Sequence, residues 1–116
     1  MKDIRKAIEY NGVKYPVVFN LNVMERIQEE YGELAKWGEL TDGSRGEPNA
    51  KAIIFGLTEM INEGIDIENE ETGEERKFLT KKQVGRIVTN VGLENATKVT
   101  NDAVIESTKV EQPKNA

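Results

Sequence analysis

The densest run of side chains able to bind a metal ion is the acidic segment IDIENEETGEERK, residues 65–77. Its acids alternate over the first, third and fifth positions of an EF-hand calcium loop: Asp66, Glu68 and Glu70. In that frame Glu71 occupies the sixth position, which needs glycine, and Lys77 occupies the twelfth, which needs a bidentate acid. If the frame is moved so that Gly73 occupies the sixth position, Leu79 occupies the twelfth, where it cannot bind calcium. The pattern therefore predicts an exposed acidic loop or a short, charged hairpin, without a metal.

Residues that could support enzymatic catalysis are scarce. The chain has no histidine and no cysteine, which removes the commonest general base and the thiolate nucleophile. The concentrated carboxylate pairs, Glu29-Glu30 and Glu70-Glu71, lie in segments that we expect to be exposed, whereas catalytic carboxylates need burial to tune their pKa. The sequence therefore predicts a non-catalytic protein without a cofactor.

The charge of the chain bears on its partners. Lysine and arginine number 16 against 21 acidic residues, which gives a formal net charge of −5. Nucleic-acid-binding domains usually carry a basic stripe, but the basic runs here are short. No apolar run approaches the ~20 residues that span a bilayer, and the first ten residues lack the apolar core of a signal peptide. We expect a cytoplasmic protein that binds neither nucleic acid nor membrane.

A β-hairpin is predicted at the N-terminus, because Asn11-Gly12 separates residues 4–10 from residues 13–19 and both turn residues tolerate positive φ. Pro16 cannot donate a hydrogen bond, so its strand should be at an edge or bulged there.

The first helix is predicted to follow the hairpin directly. Asn22 is a suitable N-cap, Glu25 completes a capping box, and Gly32 ends the helix. Four apolar side chains are expected to point inward and to fix the angle between hairpin and helices: Phe19, Leu21, Met24 and Ile27. A second short helix, residues 33–40, should carry Leu34, Trp37 and Leu40.

The central, most buried helix is predicted to follow the loop of residues 41–47, with Pro48 in its first turn and Gly64 at its end. It is apolar around much of its circumference. Gly56 inside it either weakens the helix or lets another backbone come close.

Two further helices complete the predicted fold. Thr80 caps the first, with Gln83 completing the capping box and Gly92 ending the helix. The last helix starts at Leu93 and ends near Ser107. The predicted fold class is α+β: an N-terminal β-hairpin and four to five short helices in one globular domain, residues 1–108, followed by a disordered polar tail, residues 109–116.

Three residues are candidates for binding a partner: Trp37, Leu40 and Tyr15. Tryptophan is enriched at binding hot spots, and Leu40 lies on the same predicted helix. The alternative for all three is a place in the core, and for Trp37 the sequence favours that alternative, with the ring packed against Tyr31 and Leu34.

The order of these elements resembles the tail assembly chaperones of long-tailed bacteriophages. The resemblance covers roughly residues 10–105, from the strand YPVVFNLN through the helix VMERIQEEYG, with its Tyr31-Gly32 ending, and ELAKW. It continues with the central helix AKAIIFGLTEMINEG and the Thr-capped LTKKQVGRIV.

This resemblance implies a phage or prophage protein that binds the tape measure protein and keeps it soluble while tail tube subunits polymerise. It implies the host bacterial cytoplasm as location and absence from the mature virion. The tail tube protein is a further candidate partner, and a homo-oligomer stays open. The alternatives are a small structural tail component, such as a connector or tube-completion protein, and a regulatory protein-binding module.

Overall fold

The computed structural model describes residues 5–109, which form a two-stranded hairpin followed by five helices. Strands β1 (Arg5–Tyr10) and β2 (Val13–Val18) pair antiparallel. The helices are α1 (Leu21–Tyr31), α2 (Leu34–Thr41), α3 (Ala50–Thr72), α4 (Lys81–Val91) and α5 (Leu93–Thr108). The predicted α+β class is confirmed. The predicted tail lies outside the described residues except for Lys109.

The hairpin turn has the geometry that its sequence predicts. Asn11 and Gly12 have φ of +53° and +75°, as a two-residue turn of the type I′ class requires. The strand register runs without a bulge and pairs Pro16 with Ala7. The pair that closes this two-residue turn, Tyr10 and Val13, exchanges backbone hydrogen bonds, and from there hydrogen-bonded and non-hydrogen-bonded pairs alternate along the strands. The Ala7–Pro16 pair is therefore one that exchanges no backbone hydrogen bonds. The missing N–H of Pro16 therefore costs the sheet nothing.

Helix α1 begins one residue before the predicted cap, and its N-cap is Asn20. The Asn20 side-chain oxygen accepts a hydrogen bond from the backbone N–H of Val23, at 3.1 Å. The predicted Asn22 cap is therefore wrong. Leu21, expected to point inward, is 67% exposed, because it lies two residues, about 200° of helix rotation, from buried Val23. Phe19 and Ile27 are buried as expected.

Helix α3 is longer than predicted at one end. Asn49 caps it by accepting a hydrogen bond from the backbone of Ala52, and Gly73, with φ +77°, ends it. The stop predicted at Gly64 is wrong, because the helix continues through Thr72. The acidic loop or hairpin predicted over residues 65–77 is therefore wrong for residues 65–72, whereas residues 73–77 belong to a loop. Gly64 instead makes room for the hairpin: a Cβ there would lie 2.7 Å from the Cβ of Pro16.

The last two helices match the predictions closely. Thr80 and Gln83 form the reciprocal capping box at the start of α4. Gly92, with φ +94°, separates α4 from α5. Both helices pack against α3, whose apolar face forms the centre of the core.

Candidate protein-binding site

Trp37 is part of the core and is not a surface anchor. Its side chain is 1% exposed, and its indole N–H donates to the backbone carbonyl of Ala52 at 2.9 Å. The ring lies so close to α3 that a Cβ on Gly56 would be 2.4 Å from the Trp37 Cζ2 atom. The prediction of Trp37 as a partner-binding residue is wrong, since the indole is enclosed and its one donor is satisfied.

Leu40 is half-buried and packs against the core. It lines a depression of about 440 Å³ beside Tyr31 and Lys36. The ion pair between Arg45 and Glu39, at 2.6 Å, lies in the same depression.

Tyr15 lines a different and smaller cleft. It is half-buried, and its cleft of about 200 Å³ includes Tyr10 and Arg86. The guanidinium of Arg76 lies 5.1 Å from the centre of the Tyr15 ring. The three predicted residues therefore do not form one site: one is in the core, and the other two line separate depressions.

A groove with a net negative charge lies elsewhere, between α1, α3 and the connection of residues 73–80. We call it the acidic groove, and it has a volume of about 460 Å³. Its charged and aromatic lining consists of Glu25, Arg26, Glu59, Glu63, Asp66 and Phe78. Four carboxylates against one guanidinium leave a net charge of −3 on this lining.

Local hydrogen bonds and an ion pair fix part of this lining. The Glu63 Oε2 atom accepts hydrogen bonds from the side-chain amides of Asn20, at 2.6 Å, and Asn22, at 2.9 Å. Arg26 lies 3.3 Å from Glu59. Glu25 and Asp66 are exposed to solvent. The groove therefore presents negative charge on side chains carried by two helices.

Phe78 supplies the groove with an apolar surface on a fixed backbone. Its side chain is 55% exposed. On one side of it, Asn62 of α3 both donates to the Leu79 carbonyl, at 2.9 Å, and accepts from the Leu79 N–H, at 2.8 Å. On the other side, Asn69 makes the same pair of bonds with Arg76, at 2.9 and 3.1 Å.

The spacing of these two asparagines suits an extended segment. Asn62 and Asn69 are seven residues apart, which is about two turns and ~10.5 Å along a helix. Arg76 and Leu79 are three residues apart, which is ~10 Å along an extended chain. The two asparagines thus hold the connection antiparallel to α3, with Phe78 between the two attachment points. We call this arrangement the asparagine clamp.

The acidic groove was not predictable from the sequence. The spacing of Asn62 and Asn69 is visible in the sequence. It predicts the asparagine clamp only if α3 continues past Gly64, where the sequence predicted that the helix ends. The exposure of Phe78 depends on the same extension.

Within residues 5–109, no group of three or more acidic side chains is arranged to hold a metal ion. Hydrogen bonds lower the pKa of Asp42, through Ser44, of Glu71, through Arg5, and of Asp102, through Lys98. No helix in this part of the chain has the length and apolarity needed to cross a membrane.

Comparisons of the chain with family models, with curated proteins and with solved structures found no match.

Proposed function

We propose that this protein is a tail assembly chaperone of a long-tailed bacteriophage. It binds the tape measure protein in the cytoplasm of the host bacterium and keeps it soluble during tail tube assembly. It acts by binding, without catalysis, and leaves before the virion is complete.

The observation that supports the proposal is the order of the folded elements. The strand β2 leads directly into an Asn-capped helix that ends at Tyr31-Gly32. The most buried helix, α3, comes after α2, and a Thr-capped helix, α4, comes next. These are the elements, in sequence order, on which the resemblance to the chaperone family rests.

The surface has properties that such a role needs. A chaperone of this kind has to cover apolar helix reversibly, which favours a modest interface of exposed apolar side chains surrounded by charge. Phe78 in the acidic groove is such a side chain. The net charge of −5 favours solubility of the complex.

Co-expression tests this function. Segments of the tape measure protein from the same genome would be produced alone and together with this protein, and soluble material would be examined by size-exclusion chromatography with light scattering. We expect segments that precipitate alone to elute as a soluble complex. Segments that precipitate equally in both cases would contradict the proposal.

The composition of purified virions is the second test. A chaperone is absent from mass spectra of mature particles, whereas a connector or a tube-completion protein persists in them. Stoichiometric amounts of this protein in the virion would overturn the proposal in favour of a structural tail component.

A further inference from the structure

We propose that the acidic groove binds an amphipathic, basic helical segment, with the apolar stripe of that segment against Phe78 and its flanking Lys or Arg side chains against the groove carboxylates. Insofar as the segment belongs to the tape measure protein, this inference rests on the proposed function.

The apolar anchor is Phe78. Burying an aromatic side chain on binding removes a large apolar area from water, and aromatic residues are typical hot spots. The asparagine clamp fixes the backbone on both sides of Phe78. Binding therefore loses little backbone entropy at this position, which favours affinity.

The charge of the groove selects the partner. Glu25 lies on α1 and Asp66 on α3, both exposed, so negative charge comes from both helical walls. The second oxygen of Glu63, Oε1, takes part in neither amide hydrogen bond to that carboxylate. Complementary charge raises the rate of association and rejects acidic partners. A net charge of −3 on the lining thus favours Lys and Arg and disfavours nucleic acid.

The elements that form the walls of the groove favour a helix as the occupant. Its walls are α1, α3 and the connection of residues 73–80, and no residue of the hairpin lines it. An extended peptide that binds by strand addition needs the edge of a sheet, whereas a helix uses a groove between helices and contributes anchors at i, i+3, i+4 and i+7.

Two synthetic peptides test the inference. Each has about 18 residues, which is about five helical turns, with leucines at the same i, i+3, i+4 and i+7 positions. The remaining positions are lysine in one and glutamate in the other. Binding of each fluorescein-labelled peptide to the full chain is measured by fluorescence anisotropy at ~0.15 M ionic strength, where the Debye length is ~8 Å. We expect the lysine peptide to bind and the glutamate peptide not to bind.

Two independent variants locate the binding. Phe78→Ser removes the apolar anchor, and the double variant Glu25→Lys, Asp66→Lys reverses charge at two exposed positions. We expect each to weaken binding of the lysine peptide by about tenfold. The matched control is Glu47→Lys, Glu94→Lys, which makes the same change in net charge at exposed positions away from the groove and its walls. The control should weaken binding by no more than about twofold, because it acts only through the screened long-range field.

The outcomes separate this inference from the proposed function. Equal losses in the groove and control variants, or no binding of the lysine peptide, would overturn the groove as the binding site, even if tape measure segments were still solubilised. Groove-dependent binding of the peptide without any effect on tape measure segments would support the groove and overturn the chaperone function.

Discussion

At the scale of single residues, two glycines of α3 determine how closely its neighbours approach. Gly56 lies under the ring of Trp37, and Gly64 lies under Pro16 of β2. Sequence alone marked Gly56 as a position where a backbone could come close, but the neighbour is an indole ring. It marked Gly64 as a helix end, because a glycine that serves a distant contact has the same local signature as a C-cap.

Gly56→Ala should destabilise the protein by about 1–3 kcal/mol, because the added Cβ overlaps the Trp37 ring and the surrounding core must shift. The gain in helix propensity does not offset this overlap. Gly38→Ala in α2 is the matched control: a Cβ there meets no atom within 4 Å, so it should stabilise by about 0.5–1 kcal/mol. Urea unfolding midpoints measure both changes. Equal effects of the two substitutions would refute the close packing of Trp37 on Gly56.

Asn62→Ala should release the connection from α3 at Leu79. Two hydrogen bonds are lost, which together contribute about 1–3 kcal/mol. Hydrogen exchange at the Leu79 amide should become faster, while exchange in α5 changes only through global stability. Asn90→Ala, at an exposed position of α4, is the control. Unchanged exchange at Leu79 would argue against the asparagine clamp.

At the scale of elements, the hairpin and the α4 cap were predictable because their signals are local. Asn11-Gly12 and the Thr80–Gln83 box specify their structures within four residues. The start of α1 was not predictable, since Asn20 and Asn22 are the same residue type and both are good N-caps. Both side chains donate to Glu63, 43 and 41 residues away, a contact that the local sequence does not reveal.

The acidic end of α3 was missed for a similar reason. The acidic side chains in the run from Asp66 to Glu71 repel one another, so the run favoured an exposed loop over a helix. In the folded chain, Arg5 of β1 pairs with Glu71 at 2.7 Å, and Arg76 lies 3.6 Å from Glu68. Cationic side chains from β1 and from the connection of residues 73–80 thus offset the repulsion among the acids of α3. These contacts form only when the chain folds, so the local sequence does not reveal them.

Asn20→Ala should cost about 1–2 kcal/mol, because Asn20 is the N-cap of α1. Asn22→Ala should cost less than about 0.5 kcal/mol, since Asn22 is exposed and makes only the bond to Glu63 among those described. Thermal unfolding of the two variants compares them directly. A larger loss of stability for Asn22→Ala than for Asn20→Ala would contradict the Asn20 cap and favour the Asn22 cap that the sequence predicted.

At the scale of the whole molecule, ion pairs join the hairpin to the helices. Arg5 connects β1 to the end of α3, and Lys6 pairs with Glu106 of α5 at 2.6 Å. Within α5, Lys98 pairs with Asp102 at 2.8 Å. These pairs are exposed or half-exposed, so each contributes little alone.

Acid should destabilise the fold. Hydrogen bonds from Arg5 and Lys98 lower the folded-state pKa of Glu71 and Asp102 below their ordinary values of 4.5 and 3.8. Such groups stabilise the protein above the ordinary values, and this contribution is lost as pH falls through the lowered ones. The urea midpoint should therefore fall as pH drops below about 4.5. The fall should be smaller in Glu71→Gln, and a midpoint that rises in acid would contradict this linkage.

The central claim, that a tape measure protein is bound at the acidic groove, is tested most directly by photocrosslinking in the co-expressed complex. Benzoylphenylalanine would replace either Phe78 or Ile105, which are 55% and 56% exposed, so that only position differs between the two probes. Our account predicts that the probe at position 78 crosslinks to the tape measure segment and that the probe at position 105 does not. Crosslinking from position 105 alone, or equally from both positions, would contradict it.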